Sequence, residues 1–223
     1  KSSLSWGDYD NDGDLDLALS GFTGSERLSR IYRNDNGSFI NIDTGLSGLD
    51  YSSLSWGDYD NDGDLDLALA GWTGDSWVRE SKIYRNDNGS FSDIGAGLAG
   101  VQSCALSWGD YDNDGDLDLA LAGWRIARFS TIYRNDNGSF VDISPGFTAL
   151  RDCSLSWGDY DNDGDLDIAI AGIYGAGRSR IYRNDNGSFI DIGAGIVDVG
   201  YSSLSWGDYD NDGDLDLAIA GSD

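Results

Sequence analysis

Along this chain, apolar residues alternate with small or polar ones over short stretches, and the stretches recur. Leu4-Ser5-Trp6-Gly7 alternates apolar with small side chains, an Asp/Asn/Gly segment follows, and Leu15 to Leu19 alternates again with Asp16 and Ala18 between leucines. A period of two is that of a strand with one face turned inward, so the two stretches predict an antiparallel hairpin of strands A and B. Next come Ile31-Tyr32-Arg33, the turn Asn34-Asp35-Asn36-Gly37, and Phe39-Ile40-Asn41-Ile42. Asn-Gly supplies the positive φ values of a tight hairpin turn, which predicts a second hairpin, C and D. With one Pro, no Met, 32 Gly and no sustained helical periodicity, no helix of importance is expected.

The unit repeats. Trp6, Trp56, Trp108, Trp157 and Trp206 mark it at spacings of 50, 52, 49 and 49, and a second marker, IYRNDNGSF, starts at Ile31, Ile83, Ile132 and Ile181. A period of this size belongs to propeller blades and solenoid units. The expectation is one all-β domain over residues 1–223, a β-propeller with repeats at about 1–50, 51–102, 103–151 and 152–200, and a half repeat of A and B at 201–223. In an up-and-down sheet the A–B and C–D connections share one end, and B–C and D–A the other. The A–B and C–D segments are the same in every copy, whereas the B–C segments FTGSERLS, WTGDSWVRES, WRIARFS and IYGAGRS differ. One end is thus uniform and the other varied, aromatic and basic. Trp72, Trp77, Trp124, Arg125, Arg128, Phe129 and Tyr174 fall in the varied segments and form the candidate face for a protein or glycan ligand. The repeated Trp6, Tyr9 and Tyr32 are expected to pack between blades.

Charge sharpens the uniform end. The formal net charge is −26, yet the five copies of DYDNDGDLD hold 25 of the 40 acidic residues, leaving 15 acids against 14 Lys and Arg elsewhere. Carboxylates crowded at five points repel one another unless a cation sits among them. D-x-D-x-D-G-D-x-D resembles the first part of an EF-hand loop, without its flanking helices or its twelfth-position Glu. Calcium takes about six to eight hard oxygen ligands, which alternate positions of a curled loop can aim inward, while magnesium demands a tighter octahedron. In the first copy the candidates are the carboxylates of Asp8, Asp10, Asp12 and Asp16 and the carbonyl of Asp14, with Gly13 allowing the sharp turn. The same roles pass to Asp58, Asp60, Asp62, Asp64 and Asp66; to Asp110, Asp112, Asp114, Asp116 and Asp118; to Asp159, Asp161, Asp163, Asp165 and Asp167; and to Asp208, Asp210, Asp212, Asp214 and Asp216. About five Ca²⁺, one per loop, are expected as structural ions whose binding supports folding.

Together, LSWGDYDNDGDLDLALAG and IYRNDNGSF resemble the FG-GAP/VCBS repeats of integrin-like propellers, over essentially the whole chain. The resemblance implies a calcium loop in the A–B hairpin on the lower face, and upper B–C and D–A loops for ligands. Such propellers commonly have about seven blades; four and a half here imply a five-bladed ring with one thin blade, or part of a larger propeller.

Cys104 and Cys153 each stand four residues before the Trp of their repeat, where other copies carry Ser2, Ser52 and Ser202. They are compatible with one disulfide between neighbouring repeats, or with two buried free thiols. Asn36, Asn88, Asn137 and Asn186 begin N-glycosylation sequons, and the same Asn-Gly pairs serve the hairpin turn. No apolar run approaches the roughly 18 residues of a membrane span, and no signal-peptide order begins at Lys1, so the chain reads as already processed or as a fragment. With no basic patch, nucleic acid is not an expected partner; with no His and no activated nucleophile, neither is catalysis. The sequence therefore predicts a secreted or cell-surface calcium-binding protein for adhesion or ligand recognition. Alternatives are a lectin, and a subunit of an extracellular filament or sheath that self-assembles through its terminal half-blade.

Overall fold

The structure, a computed structural model, describes residues 1–75 and 77–222. Each predicted unit forms one antiparallel sheet, and the strands follow one another in sheet order. Sheet 1 is β1 (Ser3–Gly7), β2 (Asp16–Phe22), β3 (Arg27–Asp35) and β4 (Ser38–Ile42). Sheet 2 is β5 (Asp50–Gly57), β6 (Asp66–Trp72), β7 (Arg79–Asp87) and β8 (Ser90–Asp93). Sheet 3 is β9 (Gln102–Gly109), β10 (Asp118–Trp124), β11 (Arg128–Asp136) and β12 (Ser139–Asp142). Sheet 4 is β13 (Arg151–Gly158), β14 (Asp167–Tyr174), β15 (Ala176–Asp185) and β16 (Ser188–Asp191), and sheet 5 is the pair β17 (Gly200–Gly207) and β18 (Asp216–Ser222). No sheet closes on itself, and no helix occurs among the described residues.

Strands B and C run further than the alternation suggests. Phe22 pairs with Arg27 and Trp124 with Arg128, so much of each varied B–C segment is strand and only a short turn connects the two. The turn in sheet 1 is closed by the Thr23 amide, which donates to the Glu26 carbonyl at 2.9 Å. At the opposite end, Asn36-Gly37 turns the C–D hairpin with φ of 51° and 90°, as Asn-Gly predicts.

The core lies between sheets. Ala18 and Ile31 of sheet 1 pack with Leu54, Leu67 and Leu69 of sheet 2. Sheets 2 and 3 repeat the pattern through Ala68, Ile83, Leu106, Leu119 and Leu121. A middle sheet is therefore covered on both faces, which is why β6 and β10 carry the apolar run Leu-Ala-Leu-Ala and are buried along almost their whole length. The first strands β1, β5, β9, β13 and β17 stand in consecutive contact and together line a polar cavity of about 540 Å³.

One joint recurs at every junction. The Trp56 indole N–H donates to the Ser5 carbonyl at 3.2 Å, and the ring stacks on Tyr9 at 6.1 Å. Trp108, Trp157 and Trp206 donate in the same way to Ser55, Ser107 and Ser156 at 3.3, 3.2 and 3.1 Å. Each ring lies over the glycine that ends the preceding sheet's first strand. A β-carbon on Gly57 would stand 2.6 Å from Cδ1 of Trp108. Gly57→Ala should therefore cost about 1–3 kcal/mol through overpacking, seen as a lower midpoint in urea unfolding; an unchanged midpoint would show that the junction yields.

Candidate metal loops

Each Asp loop joins strands A and B and is curled by its own carboxylates. In the first copy the Asp8 carboxylate accepts the amides of Asp12 and Gly13 at 3.1 and 3.0 Å, and Asp12 accepts the amide of Asp14 at 2.9 Å. Asn11 and Gly13 supply the positive φ values, 57° and 95°, that the curl requires. Asp16, fully buried at the start of β2, accepts the Tyr9 amide at 3.1 Å and the Asn34 amide at 2.7 Å. The loop is thus held to both the A–B hairpin and the C strand.

These bonds gather carboxylate oxygens. Single oxygens of Asp8, Asp10 and Asp16 lie within 4.8 Å of one another, as do those of Asp58, Asp60 and Asp62; Asp110, Asp112 and Asp118; Asp159, Asp161 and Asp167; and Asp208, Asp210 and Asp216. The donors are all hard oxygen, the set that suits calcium or magnesium rather than a thiophilic metal. Oδ1 of Asp10, Asp60 and Asp112 is buried without a hydrogen-bond partner among the described residues. Buried polar atoms are nearly always paired, so three equivalent orphans, each beside two further carboxylates, fit a cation.

The electrostatics agree. Burial, opposed by the amides of Asn86 and Tyr59, pushes Asp66 up to about 7. Asp118 is likewise pushed up to about 7 and Asp167 to about 6. Burial and then the charge of Asp12 raise Asp10 as well. Tyr9, Tyr59 and Tyr111 are pushed up to about 12, chiefly by burial and then by the adjacent Asp10, Asp60 and Asp112. Without a cation, the cluster disfavours its own negative charge.

The fourth Asp of the motif has a different task. The Asp14 carboxylate accepts the Asn36 amide of the C–D turn at 2.9 Å. That of Asp64 accepts the Asn88 amide and also the Asn11 side chain of the preceding loop at 3.0 Å. Asp116, Asp165 and Asp214 accept Asn61, Asn113 and Asn162 in the same way, lacing neighbouring loops together. A second set of cross-links comes from the first Asn of NDNG. The buried Asn86 donates to the Tyr9 carbonyl at 2.8 Å and the Leu65 carbonyl at 3.1 Å, while its oxygen accepts the Gly89 amide at 2.7 Å. Asn135 and Asn184 repeat it onto Tyr59 and Tyr111. The reading of these asparagines as turn residues missed their role; the only signal was that they do not vary among copies.

In this structure Cys104 and Cys153 are free thiols, and Sγ of Cys104 donates to the carbonyls of Tyr51 and Ala70 in sheet 2 at 3.6 and 3.5 Å. Burial pushes the Cys153 thiol up to about 12 and Cys104 higher still. The sequon asparagines Asn36, Asn88, Asn137 and Asn186 are exposed at the turn tips, each with φ near 50°.

At the other end of the sheets, arginines cover much of the candidate ligand face. The Arg27 guanidinium lies 4.3 Å from the Trp72 ring centre, Arg128 4.7 Å from Tyr174, Arg151 5.9 Å from Trp124 and Arg125 5.8 Å from Phe129. Trp77 is left 80% exposed. Trp124, Arg128 and Arg151 border a cavity of about 350 Å³ with Gln102 and Ser103.

Because Asn135 satisfies the buried Tyr59 carbonyl across a junction and the Leu117 carbonyl and Gly138 amide of its own sheet, Asn135→Ala should destabilise the protein by at least about 2 kcal/mol. Asn137→Ala, at the exposed tip, should cost less; chemical denaturation of the two variants decides, and the reverse order would contradict the assignment.

Comparison with known proteins agrees with this geometry. Residues 8–69 and 159–219, more than half of the chain, match the FG-GAP-like repeat. No curated protein matches it. Five Asp loops in one setting, laced sheet to sheet, are the repeat written several times over, and the chain belongs to the FG-GAP-like repeat family.

Proposed function

We propose that this is an extracellular calcium-binding protein of propeller architecture that recognises a protein or glycan ligand, with calcium in a structural role. The observation that carries the reading is the division between the two ends of the sheets. At one end the Asp loops are alike in every copy, bonded to their neighbours and crowded with carboxylates. At the other, Trp72, Trp124 and Tyr174 stand on strand ends under arginines from other segments, with Trp77 exposed beside them. Aromatic rings and arginines on a rigid sheet rim are the groups that dominate recognition surfaces. The exposed ring of Trp77 also suits the apolar face of a sugar, which keeps a lectin within this reading. The shared cavity of the five first strands supports a propeller. No helix of the described residues is long and apolar enough to cross a membrane.

Calcium would be held by Asp8, Asp10, Asp12 and Asp16 and their counterparts, replacing repulsion at the end of each A–B hairpin by attraction. Ion binding to the folded state alone stabilises it by mass action, about 2.7 kcal/mol per site at a hundredfold excess over Kd. Calorimetry should show the melting temperature falling by about 10 °C or more when EDTA is added at neutral pH. Asp60→Asn should remove about one ion from the titrated stoichiometry and leave the other loops filled. A melting temperature indifferent to EDTA would end the calcium reading.

Recognition has its own test. On arrays of glycans and extracellular proteins, Trp77→Ala combined with Trp124→Ala should weaken binding about tenfold or more with the fold retained. Equal loss from substitution of Asn88 and Asn137, at the opposite end, would contradict this polarity.

A further inference from the structure

We propose that the cavity between sheets 3 and 4 at the varied rim takes the anionic group, carboxylate or sulfate, of an acidic saccharide. This deepens the recognition reading of that rim and rests on it.

Two populations of arginine divide the molecule. At the end that carries the Asp loops, Arg33, Arg85, Arg134 and Arg183 each pair with the aspartate two residues on, at 3.0, 2.6, 2.8 and 2.8 Å. At the rim, Arg27, Arg79, Arg125 and Arg128 form no ion pair among the described residues and lie against aromatic rings instead. A ring face attracts a guanidinium but accepts few of its five N–H groups. Nε of Arg27, Arg79 and Arg128 is buried without a hydrogen-bond partner among the described residues. Buried donors are nearly always paired, so three equivalent orphans mark a rim short of acceptors.

One of these places has room for a ligand. Gln102, Ser103 and Trp124, with Arg128 and Arg151, border about 350 Å³, near the lower end of the roughly 300–1,000 Å³ of small-molecule sites. The wall holds two guanidinium groups and no carboxylate. Asp152 lies 2.6 Å from Arg151 but also holds the Lys1 ammonium, so one carboxylate answers two cations and Arg128 has none. Both guanidinium groups are braced beforehand, Arg128 over Tyr174 and Arg151 near Trp124, which lowers the entropy lost when a ligand arrives.

The rest of the wall is neutral. The side chains of Gln102 and Ser103 and the Trp124 indole N–H make no hydrogen bond with the described residues. Amide and hydroxyl groups both donate and accept, as the hydroxyls of a sugar do. A guanidinium grips an oxyanion through two parallel N–H bonds. Charge therefore calls for an anion, the neutral groups for hydroxyls, and the volume for a compact unit; an acidic saccharide carries all three. The net charge of −26 does not oppose this, because 25 of the 40 acids lie in the Asp loops. The seven residues of β10 separate its loop from Trp124, about 23 Å of strand against a screening length of about 8 Å at physiological salt.

Isothermal titration of the calcium-supplied protein tests this with four probes: trigalacturonate, a sulfated galactose trimer, the neutral galactose trimer and an Asp/Glu peptide. At least one acidic saccharide should bind with a Kd of about 1 mM or tighter, and the neutral trimer about tenfold more weakly or worse. Which acidic sugar binds more tightly separates carboxylate from sulfate. Arg128→Gln removes one guanidinium, and Gln102→Glu adds a charge while leaving both in place. Each should weaken binding about tenfold or more with the melting temperature unchanged. An acidic peptide that binds as tightly, or no binding by either acidic saccharide, would overturn the proposal. So would binding indifferent to both substitutions, the result expected if calcium at the Asp loops bridged the anion. A neutral glycan or a protein held through Trp77 and Trp124 would overturn it too, yet leave the recognition reading standing; a rim that binds nothing on either array ends both.

Discussion

A sheet of four short strands has two faces and too little chain to cover either, so it becomes stable only by laying both against neighbours. Much else here follows from that constraint. It makes β6 and β10 apolar on both sides, places the core in layers between sheets, and requires a close-fitting joint at each layer. The joint is asymmetric, with an indole from one sheet entering over a glycine of another. Such a stack has a direction, and its two ends differ chemically.

The Asp loops are tied into this stack as well as into their own hairpins. Three carboxylates of each loop converge, while the fourth Asp of the motif accepts the C–D turn in sheets 1 to 4 and, from sheet 2 onward, the asparagine of the loop before. Buried Asn86 and its counterparts pin the same region from the C strand. Electrostatic strain in one cluster is therefore met by bonds that run to its neighbours. Local chemistry and sheet packing are coupled at that end of the molecule, while at the rim that carries Trp72 and Tyr174 neighbouring sheets meet through arginines laid over rings.

Much of this was legible in the sequence because it is written several times. Alternation around Trp6, the Asn-Gly turn and the spacing of the tryptophans are short-range signals, and each sheet formed where they pointed. What escaped is the chemistry that acts between repeats. Gly7 reads as the end of a strand until Trp56 is seen lying on it, and Asn86 reads as a turn residue until its amide is found on the Tyr9 carbonyl. Variation in FTGSERLS reads as a loop, yet Phe22 and Arg27 pair as strand, because side-chain variety does not prevent backbone pairing. For Cys104 and Cys153, equivalent places in adjacent repeats could not reveal which way a sulfur points.

Near-identity of the joints has a kinetic side. Since Gly7, Gly57, Gly109 and Gly158 present almost the same surface, a tryptophan arriving during folding finds several sockets that fit it equally well. Shape then cannot put the sheets in order. That task falls to the short D–A connections, such as the one held where the Ala99 amide donates to the Tyr133 hydroxyl, which allow each sheet to reach only the next. Chains concentrated while still folding have no such tether between them, so exchange of whole sheets from one chain to another is the misassembly this architecture invites.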